Sequence, residues 1–451
     1  MLAVLLLRAV WDVDIFWQLR LGELILAAGR PILREPFAIT HLGEPMPAIA
    51  WLGQAGFAAV RQAFGWSGLR VFDGLCWCGG FWAVAAACRR QGATAAGVVL
   101  ALGLGMIAAL PAASIRPQSY AALCFGALLA LLKLNLKAWQ TVALGFPLLI
   151  LWQNLHPSAS IAVVALGVHG LAGWIAWYRD RQQARPLAAT ILTPLALLAL
   201  VLTPDGFAGF AASARNAQAS IAVGASEWLP LWIPDNFKNA VPVVVVALLA
   251  LRSAWRQRDA LSCSDLAVMM ALLVLTVTAY RFVLFWAIAT VPVIASASKK
   301  EAGSRHTPWA IMLASLALVA IALPLIQPTR FSDNLPLAAV ARLKQTPAQG
   351  TVFTEPEFAG VLLDEGYPRW HVSYDGRYYR YTDDEWGRYG QILDGSFGLR
   401  AIERLYHPAA FVLRPSHSRA LSQALDRPGS GWQRIWSDPG TAVWIPRRSR
   451  S

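Results

Sequence analysis

Long apolar runs recur along the chain from its first residues to about position 326. A helix that crosses a bilayer needs about 17–25 mostly apolar residues, or slightly fewer when it is buried among neighbours. The opening run, Met1 to Val10, is shorter and contains Arg8, so it is either the end of a spanning helix or a short span, and we count it as the first helix. The other predicted spans cover residues 69–87, 93–112, 119–136, 140–155, 158–178, 187–203, 240–253, 264–280, 282–297 and 308–326. The pattern therefore predicts about eleven transmembrane helices.

Residues 327–451 have a polar pattern of mixed character, which predicts a small α/β domain. Arg414-Pro415-Ser416 reads as a turn that leads into an amphipathic helix ending near Leu425, and Asp438-Pro439-Gly440 reads as the turn of a final hairpin. The predicted strands are Thr351–Phe353, Ala409–Leu413, Trp432–Trp436 and Thr441–Ile445.

The predicted domain organisation has two parts. Residues 1–326 form a transmembrane domain, and its outer loop, residues 11–68, contains two amphipathic pieces near 15–28 and 51–64 that are suited to lie in the membrane interface. Residues 327–451 form the extracytoplasmic domain. The predicted fold class is a polytopic α-helical membrane protein with a small C-terminal α/β extracytoplasmic domain.

Composition supports this interpretation and explains the net charge of +13. Hydrophobic residues make up 56% of the chain and charged residues only 14%, which excludes a soluble globular protein. Lys and Arg are concentrated in every second loop, as expected if those loops are cytoplasmic. The positive charge therefore indicates the orientation of the chain in the membrane and not a nucleic-acid partner. The predicted cytoplasmic residues are Arg89, Arg90, Lys133, Lys137, Arg179, Arg181, Arg185, Arg252, Arg256, Arg258, Lys299, Lys300 and Arg305. This places the N-terminus in the cytoplasm and residues 327–451 on the outer side of the membrane.

Unusual polar residues collect at the outer ends of the predicted helices. Asp12 and Asp14 directly follow the first helix, with Trp17 and Gln18 one turn later. Ionisable residues beside a membrane are costly unless they have a partner or a task. Each of these polar residues also has a purely structural interpretation: the aspartates could cap a helix, and arginines at other outer ends could snorkel or form ion pairs. The residues at other outer ends are Arg116, Gln118, Asn154, His156, Glu227 and Arg281.

Several short motifs lie in the first outer loop, at later outer helix ends and in the C-terminal residues. Asp12-x-Asp14-x-x-Trp17-Gln18-Leu19-x-x-Gly22, followed by Pro36-Phe37-Ala38-Ile39-Thr40, is similar to the start of a group of polytopic bacterial proteins related to the GT-C glycosyltransferases, although Val13 stands in place of Pro and Gln18 in place of His. Similar later segments are Arg116-Pro117-Gln118, Trp152–His156, Thr203–Gly206, Glu227-Trp228, Arg281 and Tyr374-Asp375-Gly376-Arg377. For the last of these we consider glycan binding and packing, and favour packing.

The resemblance implies an essential acidic residue in the first outer loop and a sugar donor carried on a polyprenyl phosphate. These roles suit the residues: a carboxylate can accept the proton of an acceptor hydroxyl, and arginines can hold a departing phosphate. We favour Asp14 as the base, with Asp12 second and Trp17 and Gln18 contacting the sugar. The other predicted substrate-binding residues are Arg116, Gln118, Asn154, His156, Glu227 and Arg281. No cofactor is certain, and a divalent metal ion at Asp12 and Asp14 stays open.

The sequence thus favours a membrane glycosyltransferase that moves a sugar from a lipid-linked donor to an acceptor on the outer face of the inner membrane. Its partners would be membrane lipids, the donor, and a glycan, lipid or protein acceptor. The alternatives are a non-enzymatic transporter or flippase for a lipid-linked envelope glycan, or an assembly scaffold. A transporter is expected to distribute polar residues through to the inner face, whereas here they crowd the outer side.

Overall fold

The computed structural model describes residues 1–257, 261–296 and 309–447. The chain divides into two compact units. The first contains residues 1–8, 60–213 and 220–329, and the second contains residues 9–59, 214–219 and 330–451. Of the basic residues used to predict orientation, Arg258, Lys299, Lys300 and Arg305 lie outside the described residues.

The first unit is built from helices, and most of them coincide with the predicted apolar runs. Its helices are α1 (Leu2–Leu7), α3 (Trp51–Arg90, which begins in the second unit), α4 (Ala95–Ala109), α5 (Gln118–Lys133), α6 (Ala138–Leu155), α7 (Ser160–Arg179), α8 (Leu187–Ala199), α9 (Ala208–Ala222), α10 (Phe237–Arg256), α11 (Cys263–Thr278), α12 (Val283–Ser296) and α13 (Trp309–Ile326). Helix α9 is not predicted by the apolar pattern. Helix α3 is interrupted at Gly65, whose φ of 64° is not helical.

Helix α12 forms the centre of this bundle. Every residue from Val283 to Ala295 is buried, and the helix packs against α4, α10 and α11. A helix that is apolar on all sides is expected to lie inside a protein or a membrane. Its Phe285 also meets Phe125 of α5, with ring centroids 5.4 Å apart, and Trp152 of α6, at 6.1 Å.

Two glycines let α3 and α5 approach closely. A Cβ atom added to Gly80 would lie 2.0 Å from the backbone oxygen of Ala122, and one added to Gly126 would lie 2.1 Å from the backbone oxygen of Gly80. Small residues at such crossings allow the backbones of apolar helices to pack directly, which is a common feature of membrane bundles.

The outer surface of the first unit is strongly apolar. Large side chains such as Val99, Leu171, Leu248 and Val274 are each at least 60% exposed, as expected of a surface that faces lipid. Within the described residues, four helices are long and apolar enough to cross a membrane: Trp51–Arg90, Ala95–Ala112, Ser160–Arg179 and Pro234–Arg256. Shorter apolar helices cover Gln118–Lys133, Leu187–Ala199, Cys263–Thr278, Tyr280–Ser296 and Ser315–Pro324. The predicted number of eleven spans is therefore not confirmed.

The second unit combines a five-stranded sheet with short helices. Its helices are α2 (Asp14–Ala28), α14 (Leu337–Lys344), α15 (Pro356–Gly366), α16 (Asp383–Asp394), α17 (Leu399–Tyr406) and α18 (Arg419–Asp426), and its strands are β1 (Gly350–Thr354), β2 (Trp370–Val372), β3 (Pro408–Leu413), β4 (Trp432–Ser437) and β5 (Ala442–Pro446). The strand order is β2-β1-β3-β5-β4. Strand β1 runs parallel to β2 and β3, and β5 is antiparallel to β3 and β4.

The predicted small α/β region is thus present, with β1, β3, the β4–β5 hairpin and α18 close to their predicted bounds. The hairpin turn forms because Asp438 Oδ1 accepts hydrogen bonds from the backbone N–H of Gly440 and Thr441, at 2.8 and 2.6 Å. Strand β2 was not predicted, because three residues are too few to show an alternating pattern.

Residues 9–59 are part of this second unit. Helix α2 packs against α15, and Ala38 forms a parallel bridge to Val372 of β2. The apolar face of α2, which includes Ile15, Phe16 and Leu19, is buried there. The amphipathic pattern that we interpreted as a membrane-interface helix therefore serves the core of the unit.

Candidate functional site

The two predicted acidic residues lie at the start of α2. Asp12 is only 4% exposed, and its Oδ1 accepts a hydrogen bond from the backbone N–H of Asp14 at 2.9 Å. This contact between residues i and i+2 forms a short turn directly before the helix, of the kind that aspartate side chains often close. Asp14 is half-buried, and its Oδ1 accepts a hydrogen bond from Trp17 Nε1 at 3.0 Å. The i+3 spacing of Asp14 and Trp17 thus fixes the orientation of this carboxylate.

Gln18 completes the predicted group on α2. Its Oε1 is buried and has no hydrogen-bond partner within the described residues. An unpartnered buried carbonyl oxygen can accept a hydrogen bond from a ligand hydroxyl. This geometry suits the predicted role of Gln18 in contacting a sugar.

The backbone of Gly376 lies directly against the Asp14 carboxylate. A Cβ atom at Gly376 would lie 2.3 Å from Asp14 Oδ1 and 3.6 Å from Trp17 Nε1. Only glycine leaves room for the carboxylate in its observed position. Gly376 belongs to the Tyr374-Asp375-Gly376-Arg377 segment that follows β2, so this segment forms a wall of the candidate site.

If Asp14 is the base of a sugar transfer, as the sequence predicts, Gly376→Ala should lower that activity by about 10²-fold. The added methyl group displaces the Asp14 side chain, and misplacing a reactive group by about 1 Å can have an effect of that size. The measurement is the transfer rate of the purified variant, accompanied by its thermal unfolding midpoint. Gly390→Ala is the matched control, because a Cβ atom there meets nothing within 4 Å. Equal activity of the two variants would contradict the role assigned to Gly376.

A buried charge cluster supports this wall. Arg377 is 1% exposed, and it donates hydrogen bonds to Glu35 Oε1 and Oε2 at 2.6 and 2.8 Å. It also donates to Asp375 Oδ2 at 2.6 Å. Glu35 in turn accepts hydrogen bonds from the backbone N–H of Phe37 and Ala38, at 2.8 and 3.0 Å. The cluster therefore joins the residues after α2 to the segment that contacts Asp14.

The environment keeps Glu35 ionised. Burial alone would raise the pKa of its carboxyl group, but the Arg377 guanidinium and the two backbone N–H donors hold that pKa below its usual value. Sequence reasoning missed Glu35. The available signal was a charged residue directly before the Pro36-Phe37-Ala38 motif.

His41 forms a second link between the residues after α2 and the residues after β2. Its Nδ1 lies 2.8 Å from Glu44 Oε2, and its Nε2 lies 3.0 Å from Glu385 Oε1. The hydrogen bond to Glu385 raises the pKa of His41, although burial acts in the opposite direction. Burial also opposes ionisation of Glu385, but the hydrogen bonds from His41 and from Thr382 lower its pKa to about 2.

We expect this link to make stability depend on pH. Because the folded pKa of His41 is raised, its contribution is complete below about pH 6.5 and is lost as the pH rises through the folded value. The contribution of Glu385 is complete above about pH 4.5 and is lost only as the pH falls towards about 2. Wild type should therefore exceed His41→Gln in unfolding midpoint by about 1–2 °C between these pH values, and the difference should shrink towards pH 8. A constant difference across this range would contradict the assignment.

The first unit holds a second group of predicted site residues. Arg116 Nη2 donates a hydrogen bond to Glu227 Oε2 at 3.0 Å, and its Nε donates to Ser114 Oγ at 3.0 Å. The Arg281 guanidinium lies over Trp228, with 3.5 Å between its Cζ and the ring centroid. Arg281 is also close enough for its charge to act on the Glu227 carboxylate. Two guanidinium groups and one carboxylate give this group a net positive charge.

Three further predicted residues lie in the first unit. His156 follows α6, and its Nδ1 is 2.8 Å from Ser158 Oγ. Asn154 donates hydrogen bonds from Nδ2 to the backbone oxygens of Ile150 and Leu202, both at 2.9 Å. These two hydrogen bonds give Asn154 a structural role. Gln118 is the first residue of α5 and is partly exposed.

The predicted residues therefore form two groups, one in each unit. Asp12, Asp14, Trp17 and Gln18 share the start of α2, whereas Arg116, Glu227, Arg281 and His156 lie in the first unit, where Arg116 pairs with Glu227. In the part of the chain that the structure describes, no group of three or more His, Cys, Asp or Glu side chains is arranged to hold a metal ion. The structure thus gives no support to the hypothesis of a metal ion at Asp12 and Asp14.

Comparison with solved structures gives a match over nearly the whole chain. The chain is similar to ArnT from Cupriavidus metallidurans, whose crystal structure has undecaprenyl phosphate bound. The match has a TM-score of 0.56 and 14% sequence identity, and it covers 99% of this chain and 96% of ArnT. The chain therefore shares the fold of ArnT, which supports the fold that the sequence resemblance implies but does not test the individual motifs. No protein-family model matches the sequence, and neither does any curated protein.

Proposed function

We propose that this protein is a membrane glycosyltransferase that takes a sugar from a polyprenyl-phosphate carrier. The observation that supports this most is the similarity to ArnT over nearly the whole of both chains, because that structure holds undecaprenyl phosphate. The Asp14 site and the Arg116 group add the two kinds of side chain that such a reaction needs. The proposed location is the bacterial inner membrane, with the N-terminus in the cytoplasm and the C-terminal residues outside.

The proposed reaction joins an acceptor oxygen to the anomeric carbon of the sugar. As that bond forms, the bond between the anomeric carbon and the phosphate oxygen breaks, and polyprenyl phosphate leaves. Asp14 accepts the proton of the acceptor hydroxyl, which keeps the attacking oxygen nucleophilic. The hydrogen bond from Trp17 holds the carboxylate in place, and Gln18 Oε1 is available for a sugar hydroxyl.

Arg116 and Arg281 would bind the phosphate of the carrier. A guanidinium group suits this task because its planar fork bonds two phosphate oxygens at once. Glu227 holds Arg116 in position, and Trp228 supports Arg281 through its ring. The same contacts would keep both cations oriented before the lipid arrives, so less side-chain entropy is lost on binding.

The decisive experiment measures release of free polyprenyl phosphate. Purified protein is reconstituted in liposomes with a radiolabelled polyprenyl-phosphate sugar and an extract of envelope lipids and glycans as acceptors. A glycosyltransferase releases one carrier phosphate for each sugar that appears on the acceptor. Movement of the intact lipid-linked sugar across the membrane without release would instead identify a transporter.

In the same assay we expect Arg116→Gln to raise the KM for the lipid donor about tenfold or more. The variant loses a charged hydrogen bond to phosphate, and such bonds contribute about 1.5–3 kcal/mol. Lys238→Gln is the control, because this cation at the start of α10 is exposed. An unchanged KM for Arg116→Gln would remove this residue from the phosphate site.

A further inference from the structure

A groove lies on one face of the five-stranded sheet in the second unit. Its volume is about 1000 Å³, which is at the upper end of the range for small-molecule sites. Ala348, just before β1, and Ala409, at the start of β3, both line it. Because β1, β2 and β3 run parallel, these residues lie at the opposite edge of the sheet from Gly376, which follows β2. The groove is therefore separate from the Asp14 site.

The β4–β5 hairpin forms the floor of the groove. Gln433 of β4 and Ile445 of β5 are paired across the ladder, and both line the groove. The next pair is Arg434 and Trp444, whose side chains donate hydrogen bonds to Asp426 Oδ1 of α18 at 3.0 and 2.8 Å. Successive side chains of a strand point to opposite faces of a sheet. Helix α18 therefore covers the face of the hairpin that is opposite to the groove.

The segment between α14 and β1 forms a wall of the groove. Thr346 and Ala348 of this segment line it. Arg369 donates hydrogen bonds to the backbone oxygens of Lys344 and Ala348, at 3.3 and 2.9 Å, and also to that of Thr346. Trp370 Nε1 donates to the Ala348 oxygen as well, at 2.9 Å. These contacts fix the wall before a ligand arrives, which lowers the entropic cost of binding.

The groove is positively charged. Arg342, near the end of α14, and Arg447, just after β5, both line it. Arg342 Nη1 donates a hydrogen bond to Gln345 Oε1 at 2.8 Å, and Arg447 Nε donates to the backbone oxygen of Trp432 at 2.9 Å. Both acceptors are neutral, so neither bond compensates the charge of its arginine. Among the described residues, no Asp or Glu lines the groove. The groove is therefore complementary to a negatively charged ligand.

The other lining side chains suit a saccharide. Gln345 and Gln433 have amide groups that can both donate and accept hydrogen bonds, as sugar hydroxyls do. Ile435 and Ile445 provide aliphatic surface on which the C–H groups of a sugar ring can pack. Ile435 lies at a β-bulge between Arg434 and Trp436, and bulges often re-aim a side chain. A peptide strand would instead pair with the backbone at the β4 edge of the sheet.

We propose that this groove binds an acidic saccharide through Arg342 and Arg447. The planar guanidinium group of each arginine can form two hydrogen bonds with the carboxylate of a uronic acid. The amides of Gln345 and Gln433 then bind sugar hydroxyls. The proposal goes beyond sugar transfer, because it concerns a second binding site and requires no reaction, so it can be tested without a sugar donor.

The test is saturation-transfer difference NMR on the full-length protein, in an uncharged detergent that has no sugar groups. Trigalacturonate is the probe, and its methyl ester is the matched neutral saccharide. We expect saturation transfer to trigalacturonate that falls as the salt concentration rises, and a signal at least fivefold weaker from the ester. No signal from trigalacturonate, or equal signals from both, would overturn the proposal. Triglutamate carries similar charge on a peptide, and equally strong binding of it would overturn the assignment to a saccharide.

Variants then locate the binding. Arg342→Gln and Arg447→Gln should each weaken trigalacturonate binding about tenfold, because each loses charged hydrogen bonds to the ligand. Gln433→Ala should weaken it several-fold. Arg400→Gln is the matched control, because Arg400 of α17 is exposed and does not line the groove. If both arginine variants bound trigalacturonate as well as Arg400→Gln does, the ligand would not occupy this groove and the proposal would be wrong.

Discussion

Asp14→Asn is expected to abolish sugar transfer and to leave the protein folded. Loss of a general base lowers a rate by about 10²–10⁴-fold. Asparagine has nearly the same size and keeps one oxygen that can accept the hydrogen bond from Trp17 Nε1. The local structure should therefore survive, so the loss reports on the charge. The measurements are release of polyprenyl phosphate, binding of the lipid donor and thermal unfolding.

Asp12→Asn is the matched comparison. The Asp12 carboxylate accepts a hydrogen bond from the backbone N–H of Asp14, and the side-chain oxygen of asparagine can accept the same turn hydrogen bond. We therefore expect a much smaller loss of activity than for Asp14→Asn. Full transfer activity in both variants would mean that neither carboxylate is the base, and a transporter would become the better interpretation.

The helices were predictable because their signal is local. A run of apolar residues is visible in the sequence whatever it packs against, so the predicted spans coincide with helices such as α4 and α7. Helix α9 was missed because its residues, such as Ser213, Arg215 and Asn216, interrupt the apolar pattern. Strand β2 was missed for a different reason, since three residues carry too little periodicity.

The candidate site was only partly predictable for the same physical reason. The i+3 spacing of Asp14 and Trp17 is local, so the sequence indicated a shared helix face, and the structure shows a hydrogen bond between them. The contact of Gly376 with Asp14 joins positions that are far apart in the chain. The pair of Glu35 and Arg377 spans 342 positions. No periodic pattern reports such contacts, and only the folded chain brings these residues together.

The buried cluster around Arg377 gives the largest expected effect on stability. Arg377→Gln removes the cation and leaves the Glu35 and Asp375 carboxylates buried beside each other. Breaking a buried ion pair by removing one partner typically destabilises a protein by about 3–5 kcal/mol. We expect a lower unfolding midpoint and lower sugar transfer, because the segment that contains Gly376 loses its anchor. The measurement is denaturant-induced unfolding of the full chain in detergent.

A double-mutant cycle separates the ion pair from other effects of the substitution. Glu35→Gln combined with Arg377→Gln should be less destabilised than the sum of the single variants, because the two charges are removed together. The control pair is Lys344 and Glu365, whose side chains are 47% and 43% exposed, and for which we expect about 0–1 kcal/mol. If Arg377→Gln were as stable as Lys344→Gln, the cluster would not hold residues 9–59 to the sheet.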